Sequence, residues 1–306
     1  MQTRTYGDLF KLASALIGTG GQLSDGEQDQ LSHFINRRFS EIFNASPSWP
    51  RYVVVGEPRT VTIDQTIQTS EDSFYVYGAG TTEVNGLYVR NGNSVDGNPA
   101  YTMFDTDGTT ALYNIWSSLN AAWQITDGVV NSPTNSLYGV SSTSTTPPLD
   151  GWGRPNQFFT GELPAPIVRD LSNIGEFVRI HRTRPLLNRS ALEYEFYVSA
   201  LGAHILNQVS TTEGTAWATY KKEFTPFTVT SDYYNSTVEV PGEFFNFISH
   251  AVYADFLRVQ NKQEEALAEE QAAQTFLALE LEKIDIRSNN NTINHKFSTY
   301  VNRQSR

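Results

Sequence analysis

The chain has 306 residues, 39% hydrophobic and 12% aromatic, with no cysteine and a formal net charge of −11. That is enough apolar material for a real core, which excludes wholesale disorder; the missing cysteine excludes disulfides, thiolate metal sites and cysteine nucleophiles. The acidic balance argues against a protein that grips nucleic acid by charge, though not against one past which DNA slides without sticking.

No apolar run reaches the ~18 residues a membrane-crossing helix needs. The opening "MQTRTYGDLFKLASALIG" has a short apolar stretch interrupted by polar and charged residues, which fits an amphipathic helix better than a signal peptide. Leu9, Leu12, Ala13, Leu16 and Ile17 fall at helical spacing, and "GTGG" at 18–21 supplies the stop. A second helix starts at "SDGEQDQLSHFINRRFSEIF", where Ser24 and Glu27 have capping-box spacing and Leu31, Phe34, Ile35, Ile42 and Phe43 form the apolar stripe. Pro47 and Pro50 end it, and "YVVVGE" and "TVTID" read as two short strands.

Residues 74–155 differ in kind. They are rich in Gly, Asn, Ser and Thr, and carry Tyr88, Tyr101, Trp116, Trp123, Tyr138 and Trp152 between turn clusters. Short strands in a small β domain are expected there, ending in the connector "SSTSTTPPLDGWGRP". Helix-and-strand patterning then resumes, so the β region reads as an insertion into a host domain. "ALEYEFYVSALGAHILN" and "AWATYKKEF" are expected to pair as strands across "QVSTTEGT".

From 240 to 285 the pattern is helical. Phe244, Phe247, Ile248, Ala251 and Phe256 share one face of the first part; Ala266, Ala273, Phe276, Leu277 and Ile284 share one face of the second. "QNKQ" at 260–263 is either a turn between two helices or a polar surface stretch. Between 239 and 285 there are ten acidic and three basic residues, whereas 287–306 holds Arg287, Lys296, Arg303 and Arg306 and no acid.

Motifs for chemistry are sparse. "GTGG" lacks the strand before it and the Lys-Ser/Thr after it that a phosphate loop needs, so it reads as a helix end. "DTDG" at 105–108 lacks the remaining ligands of a calcium loop and reads as a turn. Histidines 33, 181, 204, 250 and 295 show no metal-ligand spacing, and no nucleophile elbow appears. No catalytic residue, metal or cofactor is therefore expected. "IHRTRPLLNRS" gathers Arg182, Arg184 and Arg189, which suit either phosphate or a neighbouring subunit's carboxylates; Glu264, Glu265 and Glu269 are the candidate partners. Trp116, Trp123 and Trp152 serve either as core of the β region or, if exposed, as glycan-stacking residues.

"WPRYVVVGEPR", "EFVRIHRTRPLLN", "ALEYEFYVSALGAHIL", "AWATYKKEF" and above all "AVYADFLRVQNKQEEALAEEQAAQTFLALELEK" together resemble head-to-tail adaptor (head-completion) proteins of tailed bacteriophages. In that family Ala-Asp-x-Leu-Arg precedes a polar turn and a Lys/Gln-Glu-x-Ala-x-x-Glu helix. The resemblance covers residues 1–72 and 160–306. The insertion resembles a small repeat module through "EVNGLYVRNG", "GNPAY", "AAWQITDG", "LYG" and "TPPLDGW", and implies no settled activity.

The resemblance implies a non-enzymatic ring, commonly of twelve subunits, in the virion neck, assembled in the bacterial host cytoplasm. Its implied partners are the portal protein, a tail, nozzle or stopper protein, further copies of itself, and DNA passing without specific binding; no membrane is involved. The expected fold is α+β, a helical bundle with associated β-strands interrupted by an all-β domain. The expected divisions are 1–73, the insertion 74–155, the remainder 156–286 and an extended C-terminal arm 287–306. Arg287, Lys296, Phe297, Tyr300, Val301, Arg303 and Arg306 of that arm are expected to bind the portal. A carbohydrate-binding or host-recognition protein acting through 74–155 is the alternative.

Overall fold

The computed structural model describes residues 3–18, 23–94, 96–105, 110–118, 122–130, 132–153, 159–185, 192–206, 214–229 and 231–304, leaving aside the side chains of 3, 129, 132–134 and 285–304. Helix α1 (Tyr6–Ile17) follows strand β1 (Thr3–Thr5) and opens on a capping box, in which the Asp8 N–H donates to Thr5 Oγ1 and the Thr5 N–H to the Asp8 carboxylate. Gly18 closes it with φ 78°, a left-handed position that glycine adopts without strain. Helix α2 (Asp25–Asn44) starts at the expected box, the Ser24 N–H donating to Glu27 at 2.9 Å.

Strands β2 (Val53–Val61) and β3 (Thr66–Ile67) lead to β4 (Ser73–Tyr77), β5 (Gly86–Asn93), β6 (Pro99–Phe104), β7 (Ala111–Ser118), β8 (Ala122–Val129) and β9 (Ser132–Ser141). Then come β10 (Ile167–Asp170), β11 (Ile174–His181), β12 (Phe196–Ser199), β13 (Gly202–Ile205), β14 (Gly214–Lys222) and β15 (Glu239–Pro241), followed by α3 (Gly242–Val259) and α4 (Gln263–Gln304).

Chain contacts divide the protein into two compact units, residues 1–51 with 224–306, and residues 52–223. This overturns the expected helical bundle with an inserted β module. The protein is mostly β, with 36% strand, a curled seven-stranded sheet and four α-helices among the described residues. The strands assigned to the host, β2, β3 and β11–β14, cluster with the seven-stranded sheet and not with the helices.

In the helical unit α3 contacts α1, α2 and α4, so it is buried on most sides. Beyond the expected face, Phe245, Val252, Ala254 and Leu257 are also buried. The returning chain is held by Asn36, whose side chain accepts from the Phe227 N–H and donates to the Phe227 carbonyl. Phe227 stacks on Phe39 at 4.3 Å. Residues 260–262 are a turn, with Asn261 at φ 61° and the Lys262 N–H donating to the Leu257 carbonyl. The segment expected as an extended arm is helix through Gln304, the end of α4.

In the β unit the seven-stranded antiparallel sheet has the order β10-β4-β5-β6-β7-β8-β9, a meander of β4 to β9 with β10 added beside β4. It extends past residue 155, because β10 pairs with β4. Phe74, Val76, Tyr88, Tyr101, Ile115, Trp123, Ile125, Tyr138, Trp152 and Val168 fill its core. Residues 159–164 join its far strand back to the loop after β4: Gly161 N–H donates to the Leu137 carbonyl, and Gly80 N–H to the Pro164 carbonyl.

Two three-stranded sheets, β11-β14-β2 and β12-β13-β3, enclose a second core of Val61, Ile67, Ile174, Phe177, Ile180, Ala203, Ile205, Ala216, Ala218 and Tyr220. Here the expected pairing is corrected. Residues 196–205 are a hairpin of β12 and β13, while β14 pairs with β11 and β2. Gly202 allows the tight turn: its φ is 129°, and a Cβ there would lie 2.1 Å from the Ile67 carbonyl oxygen. The two strands expected from "YVVVGE" and "TVTID" are one, β2, which runs through Gly56 at φ 60°.

Candidate interaction surfaces

The helical unit is tied by an ion-pair node built on Arg38 of α2. Its side chain is 6% exposed, and burying a guanidinium this far is tolerable only when each N–H finds an acceptor. All five do. Nε and Nη2 donate to Asp255 of α3 at 2.8 and 2.7 Å; Nη1 and Nη2 donate to Glu270 of α4 at 3.1 and 2.7 Å; Nη1 also donates to Glu41 at 2.7 Å.

Asp255 Oδ1 further receives Arg37 at 2.6 Å and Arg258 at 3.0 Å, and Arg258 lies 3.1 Å from Glu270. Three arginines meet three carboxylates, so the node is neutral. Burial alone would raise the Glu270 carboxyl, but the hydrogen bond and charge of Arg38, with help from Gln274 and Arg258, hold it below the usual range. Asp255 and Arg258 belong to "ADFLR", the segment on which the adaptor resemblance rests most heavily. Its role in this structure is to pin α4 and α2 to α3.

The β unit has a buried guanidinium of another kind. Arg59 of β2 is fully buried, its Nη2 donating to Glu57 at 2.9 Å, to the Tyr220 hydroxyl at 2.7 Å and to the Ser172 carbonyl at 2.5 Å. Its plane lies 4.9 Å from the centre of the Tyr220 ring. Nε and Nη1 have no hydrogen-bond partner among the described residues. Burial pushes the Tyr220 phenol up, so it stays protonated and donates to Glu57 at 2.5 Å.

Of the three basic residues in 180–190, Arg182 is exposed, Arg184 lies 5.5 Å over the Trp217 ring, and Arg189 is outside the described residues. Glu264 and Glu265 are exposed at the start of α4. Glu269 is not free for a neighbour, since His250 Nδ1 sits 2.7 Å from it. His204 is held between Thr66 and Ser199. No group of His, Cys, Asp and Glu that could hold a metal occurs among the described residues. No described helix is long and apolar enough to cross a membrane.

Trp116, Trp123 and Trp152 are all buried, which removes them as glycan-stacking residues. Their indole N–H groups donate to Thr126 Oγ1, the Ser144 carbonyl and the Pro148 carbonyl. A small β region must spend its largest aromatics on its own core. For the C-terminal segment, α4 carries 287–304 as backbone helix; the side chains of Arg287, Lys296, Phe297, Tyr300, Val301 and Arg303, and Arg306 altogether, lie outside the described residues.

Two surfaces went unread in the sequence. One is a ladder in which Arg184, Trp217, Tyr75, Tyr77 and Arg169 follow one another at 5.5, 6.3, 6.1 and 5.9 Å. The alternation of "YVY" on β4 was its visible part, because period two puts Tyr75 and Tyr77 on one sheet face. The other is the β12–β13 hairpin, which exposes Tyr197, Val198 and Leu201. No protein-family model matches the chain, and no curated protein matches it.

Proposed function

We propose that this chain is a structural head-to-tail adaptor of a tailed bacteriophage, one subunit of a non-enzymatic ring between the portal and the tail or nozzle. The observation that carries the reading is the α3–turn–α4 pair. The adaptor-like stretch folds as two helices around a polar turn, and "ADFLR" supplies Asp255 and Arg258 to the node that fixes them. The net charge of −11 suits a conduit that DNA traverses without adhering. The competing carbohydrate-binding reading has lost its three tryptophans and draws support only from the half-buried Tyr75, Tyr77 and Trp217.

In this reading the basic end of the chain, Arg287 to Arg306, engages acidic portal surface. Phe297, Tyr300 and Val301 are spaced i, i+3 and i+4, the repeat of an apolar helix stripe suited to a groove. Gold-labelled antibody on virions that have shed some tails tests the placement: label at the neck, retained on tailless heads, supports it, and label on fibres or capsid faces sinks it. Deleting 287–306 should abolish assembly onto portals while leaving the melting temperature of the folded core nearly unchanged. Normal head completion by the truncated chain would remove the arm from the mechanism.

A further inference from the structure

Two surfaces, one on each unit, expose large apolar side chains and carry charge of opposite sense. The first is the outward face of α4. Its inward face carries Ala266, Glu269, Glu270, Ala273 and Phe276, which are buried or half-buried. About half a helical turn away lie Glu264, Leu267, Gln271, Gln274, Ala278 and Glu282, all exposed. Leu267 is 58% exposed, and Leu279 beside this stripe is 48% exposed. The lysines near it are turned to other carboxylates, Lys262 to Glu265 and Lys283 to Glu280. Glu264 and Glu282 have no cation within ion-pair distance among the described residues.

The second surface is the β12–β13 hairpin with the end of β11. Leu192 is 69% exposed and Leu201 70% exposed, and residues 196–203 contain no charge. Arg182 is fastened beside them, its N–H donating to the Leu192 carbonyl at 3.0 Å. Glu193 is faced by Arg179 at 3.4 Å, whereas Arg182 has no carboxylate within ion-pair distance among the described residues. Arg179, Arg182 and Arg184 outnumber Glu193 and Glu195, so this surface is net positive.

We infer that the hairpin surface of one copy docks on the outward face of α4 of a second copy, with Leu192, Tyr197 and Leu201 against Leu267 and Ala278, and Arg182 against Glu264. Charge complementarity selects this occupant. Like charges would meet if either surface paired with itself. A contact between two different patches is head-to-tail and propagates to a ring or filament instead of stopping at a two-fold dimer. The inference deepens the ring reading and rests on it only for closure of the ring, not for the pairwise contact.

The absence of cysteine makes the test direct. Leu201→Cys and Leu267→Cys chains, both at exposed positions, are purified, mixed and treated with a short bismaleimide. The expected result is a cross-linked dimer in the mixture well above that of either variant alone. Adding Arg182→Glu to the first chain should reduce the yield several-fold, and Glu264→Arg in the second should restore it, as for a steering charge pair. A mixture no richer in dimer than the separate variants overturns the contact, as does charge reversal without effect. A cross-link in solution with virion label away from the neck keeps the contact and discards the adaptor reading; label at the neck without the cross-link does the reverse.

Discussion

Arg38 in the helical unit and Arg59 in the β unit are both buried guanidiniums, and they are satisfied in opposite ways. Arg38 spends all five N–H groups on carboxylates from three helices, inside a neutral set of six charges. Arg59 relies on one nitrogen, the single carboxylate Glu57 and the face of Tyr220, and leaves two nitrogens, carrying three N–H groups, without a partner among the described residues. Helices meet along narrow seams, and a branched cation can bind three of them at once. In a strand-built core the sheet already joins the segments, and the cation adds less.

The contrast breaks most sharply at Asp255. Asp255→Ala leaves Arg38 buried with its main acceptor gone, and a stability loss of about 3–5 kcal/mol is expected, of the order found on breaking a buried pair. Chemical denaturation followed by the helical circular-dichroism signal measures it. Arg59→Met takes the buried Glu57's ion-pair partner away, but the Tyr220 hydroxyl still serves Glu57 and three unsatisfied N–H groups disappear with the side chain, so a smaller loss of about 1–3 kcal/mol is expected. An Arg59→Met loss equal to that of Asp255→Ala would erase the distinction.

The pH dependence sharpens it. Glu270 is held below its ordinary value in the folded chain, so its contribution is present above the unfolded carboxylate range and is lost as pH falls through the folded value. Wild type should therefore exceed Glu270→Gln in stability at neutral pH, and the gap should narrow on acidification. A gap that holds constant with pH would remove Glu270 from the node's energetics. The smallest effect belongs to the local cap of α1: Thr5→Ala should lower the melting midpoint by the equivalent of about 1 kcal/mol.

The parts of the fold that were legible are those written within a turn or two of chain. The stripe of α2, its Ser24–Glu27 box and the stop at Gly18 appear where the spacing puts them. Even locally the reading slipped where two patterns share one signature. The Thr5–Asp8 box was missed, and "EFYVSALGAHI" alternates like one long strand although Gly202 folds it into a hairpin. The acidic "LAEEQ" helix offered Glu269 to a neighbour as plausibly as Glu264, and only the position of His250 separates them.

By itself the sequence determined that the chain would fold around an apolar core, where its first two helices begin and end, that a β region follows them, and that charge divides between an acidic stretch up to 285 and a basic one from 287. Tertiary structure alone decided that residues 52–223 are one β unit, that β10 joins the sheet beside β4 beyond the expected boundary, and that the three tryptophans face inward. It also decided that Arg38 finds Asp255, 217 positions away. The physical reason is range. Periodicity and capping act between residues a few positions apart, whereas burial and ion pairing depend on which distant segments meet.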